Sequence, residues 1–288
     1  LLEDSQQTRL GQGFYETHQL QPEAIAHTAH AVARFADEAR RLKTESLRVI
    51  ATSAARDAVN PHELLTAIAS AAGVQVEIIS GEQEADWAFR GVTTDPALAT
   101  RPLLLLDVGG GSTELILGQG DRRHFCQSFR LGTVRLLETI PPDDPPTAAG
   151  LAETRRWLQD FIATKVRPAL QPVLDREIEL NSAPGAVMLV GTGGTTTILA
   201  RMEAHLGSYD RDRIEATRLS LDRVRWQNEH LWGLPLARRQ EIVGLPSKRA
   251  DVILAGTAIY ETVMVSFGFS ELRVSTRGLR FAAVMDLP

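Results

Sequence analysis

Cysteine is nearly absent from this sequence, and Cys126 is the only one. A single cysteine excludes both a disulfide framework and a metal site built from several thiolates. A chain without disulfides fits a reducing compartment. We therefore expect a cytoplasmic protein.

Long apolar runs and a basic net charge are also lacking. The longest apolar stretches, Leu103–Leu106 and Val252–Ala255, are far shorter than the ~20 residues that a membrane-spanning helix needs. The formal net charge of −5 excludes binding of nucleic acid through the overall field of the protein. An anionic substrate would have to be attracted locally, by backbone amides, a few arginines and a metal ion.

The composition is otherwise that of a globular chain. Hydrophobic residues make up 43% and charged residues 23% of 288 residues, enough for two domains with buried cores. Helical and strand patterns alternate throughout, which predicts an α/β fold. The proline-containing segment Thr93–Pro102 predicts a linker and hinge between a first domain, residues 1–100, and a second, residues 101–276. A long helix is expected over Lys248–Phe267.

The strongest local motif is a glycine-rich turn that follows a predicted buried strand, Leu103–Asp107. Glycines allow a tight turn and a close approach of backbone N–H groups to a phosphate. The flanking carboxylates, Asp107 and Glu114, could hold a hard cation, which prefers oxygen ligands. The alternative is an ordinary hairpin turn, but two carboxylates and two hydroxyls around the turn favour a phosphate site. The turn consists of Gly109, Gly110, Gly111 and Ser112, followed by Thr113.

A second glycine-rich turn joins a predicted strand, Val187–Val190, to a helix. Amides at a helix N-terminus form a natural anion site. The turn matches neither the dinucleotide-binding fingerprint nor the P-loop, and alone it is equally well explained as a tight strand–helix connection. Two such turns in one domain make the phosphate interpretation stronger. The turn consists of Gly191, Thr192, Gly193, Gly194 and Thr195.

Two glutamates, Glu82 and Glu84, fall in the first turn of a helix that Ser80 is expected to cap. Acidic residues are common at this place because they compensate the helix dipole. Helix-dipole compensation is the favoured interpretation of Glu82. At Glu84 the dipole is expected to lower the pKa of the carboxyl group.

Taken together, these motifs resemble the Ppx/GppA exopolyphosphatases and guanosine pentaphosphate phosphohydrolases. The resemblance covers nearly the whole chain and implies the fold of the actin, hexokinase and heat-shock chaperone superfamily. That fold has two related, ribonuclease H-like α/β domains flanking an active-site cleft, with the final helix, residues 277–288, packed back on the first domain. The matching segments are Ala51–Arg56, Ile79–Ala85, Asp107–Glu114, Gly191–Thr195, Gly244–Pro246, Arg249–Asp251 and Gly278–Arg280.

The resemblance also implies an activity and a set of site residues. The activity is Mg²⁺- or Mn²⁺-assisted hydrolysis of a terminal phosphate, with Glu84 as the catalytic base and Asp107 and Glu114 as the metal pair. The implied partners are inorganic polyphosphate or guanosine penta- and tetraphosphate, without nucleic acid or membrane, and a homodimer is an open possibility. The implied phosphate contacts are Arg56, Gly109, Gly110, Gly111, Ser112, Gly191, Thr192, Gly193, Gly194 and Thr195.

One family feature is expected to be missing. Family members begin with an Asp-x-Gly-Ser/Thr-Asn-Ser phosphate loop, and the first match here, Thr8–Gly13, corresponds to residues downstream of it. The missing loop keeps open a non-catalytic sensor that binds an alarmone or nucleotide. A kinase of the same superfamily that uses ATP is a second alternative, but the Ser80–Ala85 segment argues against it because it places a carboxylate like that of the hydrolases.

Overall fold

The computed structural model describes residues 3–181 and 185–285. They form two compact units, one containing the residues up to Glu84 and those from Ala283 onward, the other spanning Ala85–Ala282. The first contains α1 Phe14–Thr17, α2 Pro22–Arg41, β1 Val49–Ala51, α3 Ser53–Asp57, α4 Pro61–Ala72 and β2 Val76–Ile78. The unit bounds fall within α5, Gly81–Val92, and within the last helix, Leu279–Met285.

The elements that follow α5 lie in the second unit, apart from the end of the last helix, which belongs to the first. In chain order they are α6 Pro96–Ala99, β3 Leu103–Val108, β4 Thr113–Gln119, β5 Arg122–Phe129, α7 Thr133–Thr139, α8 Ala148–Phe161, a π-helical turn Ile162–Val166, α9 Arg167–Asn181, β6 Met188–Thr192, α10 Gly193–Glu203, α11 Arg211–Ala216, β7 Arg218–Ser220, α12 Leu221–Trp232, α13 Leu236–Arg239, a 3₁₀ turn Ser247–Arg249, α14 Ile253–Phe267, β8 Glu271–Val274 and α15, the last helix.

In the first unit, β1 and β2 form a two-stranded parallel sheet, and α2 packs along α4. The core forms because apolar residues recur at helical spacing on one face of α2, among them Ile25 and Ala29. They pack with Leu64 and Ile68 of α4. The chain end joins this unit: Nη1 of Arg48 donates to the carbonyl oxygen of Ala283 at 3.2 Å.

The second unit contains a six-stranded mixed sheet in the order β5-β4-β3-β6-β8-β7. Strands β3, β6 and β8 are parallel, while β4, β5 and β7 run antiparallel to their neighbours. Side chains alternate along a strand, so Leu104 and Leu106 enter the larger core and Leu103 and Leu105 enter the core on the other face. Burial on both faces explains the uninterrupted leucine run in β3.

The segment predicted to be a linker, Thr93–Pro102, is instead folded and packed. It contains the short helix α6, in which Leu98 is buried. Asp95 caps this helix by accepting from the amide of Ala97 at 2.9 Å, and its other carboxylate oxygen lies 3.2 Å from Nη2 of Arg273. The linker prediction is therefore wrong, because composition does not show that a single leucine anchors a proline-rich segment. The predicted domain bounds, at residues 100 and 276, stay predictions.

Two helical regions also differ in detail from the sequence pattern. The long helix expected from Lys248 is a 3₁₀ turn over Ser247–Arg249 followed by α14, which begins at Ile253. The π-helical turn connects α8 and α9 without a break, and Pro172 lies inside α9. Among the described residues, no helix combines the length and apolar character needed to cross a membrane.

Candidate functional site

The first glycine turn is the hairpin connection between β3 and β4. The amide of Gly109 donates to the carbonyl oxygen of Ser112 at 2.9 Å, which closes the hairpin. The carbonyl oxygens of Gly109 and Gly110 accept from the amides of Thr133 and Val134, both at 2.9 Å. These two amides belong to the first turn of α7, so the carbonyl side of the glycine turn faces α7.

Close packing against α7 fixes this turn. Gly132, just before α7, passes so near that a Cβ atom there would collide with the carbonyl group of Gly110. From within α7, Nε of Arg135 donates to the carbonyl oxygen of Gly111 at 2.9 Å. The turn predicted to bind phosphate is therefore packed against α7 and hydrogen-bonded to it, unlike an exposed surface loop.

The two predicted metal carboxylates face each other across the hairpin. Asp107 of β3 is the direct register partner of Glu114 of β4. Directly opposed residues in an antiparallel pair have Cβ atoms about 5 Å apart on the same face. Glu114 is buried, and its Oε1 accepts a hydrogen bond of 2.7 Å from the hydroxyl of Ser128. The structure therefore brings both predicted ligands to one face of the sheet.

The second glycine turn lies beside the first because β6 pairs with β3. Thr192, the last residue of β6, is in register with Asp107. The following residue, Gly193, has a φ of +83°, and a Cβ atom there would collide with Oδ1 of Asp107. Thr195 donates from its hydroxyl to the carbonyl oxygen of Val108 at 3.3 Å. The two glycine turns and the Asp107 carboxylate therefore form one cluster in the second unit.

This cluster suits a magnesium ion better than a zinc ion. Among residues 3–181 and 185–285, no group of three or more His, Cys, Asp or Glu side chains is arranged to hold a metal. A tetrahedral zinc site needs three or four protein ligands. Magnesium is typically held by one or two carboxylates and keeps water and substrate phosphate oxygens as its other ligands. Asp107 and Glu114 match that donor set.

An arginine that sequence reasoning did not select also reaches this cluster. The guanidinium of Arg249 lies over Gly194 in the first turn of α10, where a Cβ atom would be 3.8 Å from its Nη2. The turn that carries Arg249 is held by the buried Arg239, which donates to the carbonyl oxygens of Leu234 at 2.7 Å and Ala250 at 2.9 Å. The sequence did contain a signal, because Arg249–Asp251 is one of the segments that resemble the family. The pattern alone did not show that Arg249 lies at the site.

The first unit contains the other part of the predicted site, around Glu84. Its helix begins as predicted, since the Ser80 hydroxyl accepts from the amide of Gln83 at 3.1 Å. Oε2 of Glu84 accepts from Nη1 of Arg56 at 3.0 Å, and the same nitrogen donates to the carbonyl oxygen of Ile79 at 3.1 Å. The Glu84 side chain is 14% exposed. Arg56 and Glu84 are thus brought together as a half-buried ion pair.

Burial raises the pKa of the Glu84 carboxyl above its ordinary value. Hydrogen bonds and charge from Arg56, and a hydrogen bond from Thr52, lower this pKa, and the nearby Asp57 raises it further. The net direction is upward, which corrects the expectation that the helix N-terminus would lower it. The desolvation cost of a charge inside the protein outweighs the helix dipole and the cation beside it.

The structure thus gathers the predicted residues in two places. Arg56 and Glu84 meet in the first unit, whereas Asp107, Glu114 and both glycine turns meet in the second. The predicted cleft between the two domains, and the roles assigned to individual residues, stay predictions.

Comparison with known proteins gives a consistent family. The model of the Ppx/GppA phosphatase family matches residues 1–287. Exopolyphosphatase 2 of Mycobacterium tuberculosis is 32% identical over 288 residues, covering 97% of this chain and 86% of that protein. Guanosine-5'-triphosphate,3'-diphosphate pyrophosphatase of Vibrio cholerae is 28% identical, covering 97% of this chain and 52% of that protein.

Solved structures agree with the sequence matches. The Ppx/GppA enzyme of Aquifex aeolicus matches with a TM-score of 0.76 at 27% identity. The match covers 100% of this chain and 90% of the Aquifex chain. An exopolyphosphatase from Cytophaga hutchinsonii matches with a TM-score of 0.84 at 24% identity. This match covers 99% of this chain and 88% of the Cytophaga chain, and it supports the fold. The family resemblance and the fold class predicted from the sequence are confirmed: the chain belongs to the Ppx/GppA phosphatase family and has its actin-like, two-domain α/β fold.

Proposed function

We propose that this chain is a phosphohydrolase that removes the terminal phosphate from inorganic polyphosphate, guanosine pentaphosphate or both. The names of the mycobacterial and Vibrio relatives support these two substrate classes. The observation that carries the proposal is the cluster in the second unit, where Asp107 lies against Gly193 and opposite Glu114. Amides at a helix N-terminus beside a carboxylate pair suit a phosphate bound together with a cation.

The phosphate would be held mainly by backbone amides of the two glycine turns, other than the Gly109 amide, which donates to Ser112. Hydrolysis of a phosphoanhydride needs positioning and charge stabilisation more than covalent chemistry, and pre-organised amides supply both. The packing of the first turn on α7 keeps these amides in place before the substrate arrives. Arg56 is proposed as a further phosphate contact, since a guanidinium has five N–H donors, whereas Glu84 and Ile79 use Nη1 and Asp57 lies 3.8 Å from Nε.

A divalent cation on Asp107 and Glu114 would neutralise charge on the phosphate oxygens when bound. Both carboxylates are acceptor-only groups when ionised, so without a cation they would repel the substrate. The Ser128 hydroxyl that donates to Glu114 fixes one of the two carboxylates in place.

We assign the role of base to Glu84. The oxygen of a water molecule attacks the terminal phosphorus, its proton passes to the Glu84 carboxylate, and the bond from phosphorus to the bridging oxygen breaks. The shortened chain leaves with the electron pair of that bond. A carboxylate whose pKa is raised by burial binds this proton more readily than an exposed one. Arg56 counters the burial and favours the ionised form of Glu84.

A phosphate-release assay tests the proposal directly. The full-length product of the gene should release orthophosphate from polyphosphate or guanosine pentaphosphate in the presence of Mg²⁺, and Glu84→Gln should abolish most of that release. Binding of either substrate without release would favour a sensor instead. Phosphate transfer from ATP to an organic acceptor, without hydrolysis of the two proposed substrates, would favour a superfamily kinase.

A further inference from the structure

A buried tyrosine, Tyr260, lies directly behind the cluster of the two glycine turns. Tyr260 of α14 has no solvent exposure. Its hydroxyl oxygen lies 3.0 Å from the carbonyl oxygen of Leu106 and 3.3 Å from that of Thr192. It also contacts the hydroxyl of Thr196 in α10. We call Tyr260 and Thr196 the hydroxyl pair.

The hydrogen bonds of the hydroxyl pair can be assigned from the number of protons. Each hydroxyl has one hydrogen to donate. The Thr196 oxygen lies 3.0 Å from the carbonyl oxygen of Thr192, and the Tyr260 oxygen is nearer to Leu106 than to Thr192. Tyr260 therefore donates to Leu106, and the one hydroxyl hydrogen of Thr196 is shared between the carbonyl oxygen of Thr192 and the oxygen of Tyr260. Each strand end receives one hydrogen bond from the pair.

The residues that carry these two carbonyl groups directly precede, in sequence, two residues of the cluster. Leu106 precedes Asp107, and Thr192 precedes Gly193. Because the Asp107 carboxylate is packed against Gly193, a small change in the distance between the two strand ends would alter that packing. The hydroxyl pair ties one strand end to the other through α14 and α10.

An independent observation shows that the chain makes room for this pair. A Cβ atom at Gly191 would lie 2.7 Å from Oγ1 of Thr196 and 3.0 Å from Cε1 of Tyr260. The hydroxyl pair thus occupies the space that a side chain at residue 191 would need. This packing explains why the residue is glycine, with no need to invoke a bound phosphate. A buried hydroxyl is costly without a hydrogen-bond partner, and phenylalanine would fill the apolar space equally well. Burial also raises the pKa of the Tyr260 phenol, which therefore remains a neutral donor.

We propose that Tyr260, acting with Thr196, is a positioning residue that sets the spacing between Asp107 and the Gly191–Thr195 turn. The proposal rests on the proposed function in taking this cluster as the phosphate site. It assigns neither residue a contact with substrate, and both act through the backbone of β3 and β6.

The experiment compares three variants with a matched control. Tyr260→Phe and Thr196→Val each remove one hydroxyl of the pair, while Thr196→Ser keeps it. Thr262→Val is the control, because Thr262 is buried in the same helix and its hydroxyl bonds within the helix, to the carbonyl oxygen of Ala258 at 2.7 Å. All four are measured against the parent chain well below their unfolding temperatures.

Two readouts do not depend on catalysis. Amide hydrogen exchange at Leu106–Val108 and Val190–Thr192 should become about tenfold faster or more in Tyr260→Phe and Thr196→Val, with other sheet amides unchanged. Tripolyphosphate affinity in calorimetry should fall by about tenfold in the same two variants. Thr196→Ser and Thr262→Val should stay close to the parent in both.

Kinetics then separates this inference from the proposed function. If the parent releases phosphate, Tyr260→Phe should lower kcat by about tenfold or more, as small misplacements of catalytic groups do, whereas Thr262→Val should not. If the parent releases none, the proposed function fails, and the exchange and calorimetric results still decide the positioning role. Parent-like exchange at both strand ends with parent-like tripolyphosphate affinity in Tyr260→Phe would overturn it.

Discussion

Around Glu84 the predicted functional groups are ionised side chains, whereas around Gly193 they are mainly backbone amides. The first group consists of a carboxylate and a guanidinium from α5 and α3, whose properties depend on burial and on each other. The second depends on a left-handed glycine, a packed hairpin and the register of β3 with β4 and β6. Electrostatics therefore tunes one region, and geometry fixes the other.

This difference predicts different responses to mutation. A conservative change of charge should alter the Glu84 region strongly while leaving the fold intact. A single added methyl group should disturb the Gly193 region through its shape. The following experiments test this contrast, in order of expected effect.

The largest effect is expected at the carboxylate of Glu84. Glu84→Gln should lower kcat by about 10²–10⁴-fold, the usual contribution of a positioned acid–base group, with substrate affinity retained because the repulsion of phosphate by the carboxylate is removed. Phosphate release under saturating substrate measures it. Glu82→Gln is the matched control, since Glu82 is exposed in the same helical turn and should keep parent activity. Near-parent turnover in Glu84→Gln would reject Glu84 as the base.

A smaller effect is expected at the carboxylate pair on the sheet. Asp107→Asn or Glu114→Gln should raise the Mg²⁺ concentration needed for half-maximal activity by at least about tenfold, since even partners of metal ligands contribute that much. A titration of activity with Mg²⁺ measures the change. Asp121→Asn, in the exposed turn between β4 and β5, should leave it unaltered. Full activity of the parent in excess chelator would contradict the assignment.

Two neighbouring glycines give the sharpest test of geometry. Gly193→Ala should lower the free energy of unfolding by more than about 1 kcal/mol, because alanine is strained at positive φ and its methyl group would meet Asp107. Gly194→Ala should be tolerated in urea unfolding, since the nearest atom to its new methyl group is Nη2 of Arg249 at 3.8 Å. If Gly194→Ala keeps its stability but loses phosphate affinity, the backbone at Gly194 approaches the phosphate directly. Equal destabilisation by both changes would contradict the role given to Asp107.

The smallest effect concerns the pH dependence of stability. Because the pKa of Glu84 is raised in the folded state, its protonation stabilises the folded chain below the unfolded pKa, and this stabilisation is lost as pH rises through the folded pKa. Glu84→Gln has no such loss. The unfolding temperature of Glu84→Gln relative to the parent should therefore increase as the pH rises above about 4, the ordinary pKa of a glutamate. A difference that decreases with pH would show that Arg56 outweighs burial, and a constant difference would show that the two effects balance.

The first glycine turn was predictable from the sequence because its signals are local. A leucine strand followed by three glycines and flanked by two carboxylates indicates a tight turn after a buried strand, and the structure confirms this turn. The register that places Asp107 opposite Glu114 follows from a hairpin centred on the glycines. Its partnership with Gly193, by contrast, depends on β6 pairing with β3, which no local pattern reveals.

The Glu84 region was much less predictable. From the residues alone, Glu84 was indistinguishable from an acid that compensates a helix dipole, and the family resemblance supplied its role. Its pairing with Arg56 joins residues of separate helices, and its burial results from folding. Both decide the direction of its pKa, so the expectation based on the helix dipole alone had the wrong sign.

The π-helical turn Ile162–Val166 allows α8 and α9 to share one buried stripe. Buried side chains recur every fourth residue at Leu158, Ile162, Val166, Leu170 and Leu174. In a regular α-helix, which turns about 100° per residue, a strict four-residue repeat over this distance would drift by about 160° around the axis. The wider turn takes up part of this drift and keeps the stripe facing the core. A deletion of one residue at this turn would therefore be absorbed by a return to regular α-helix, with the buried side chains of the two flanking helices still in phase.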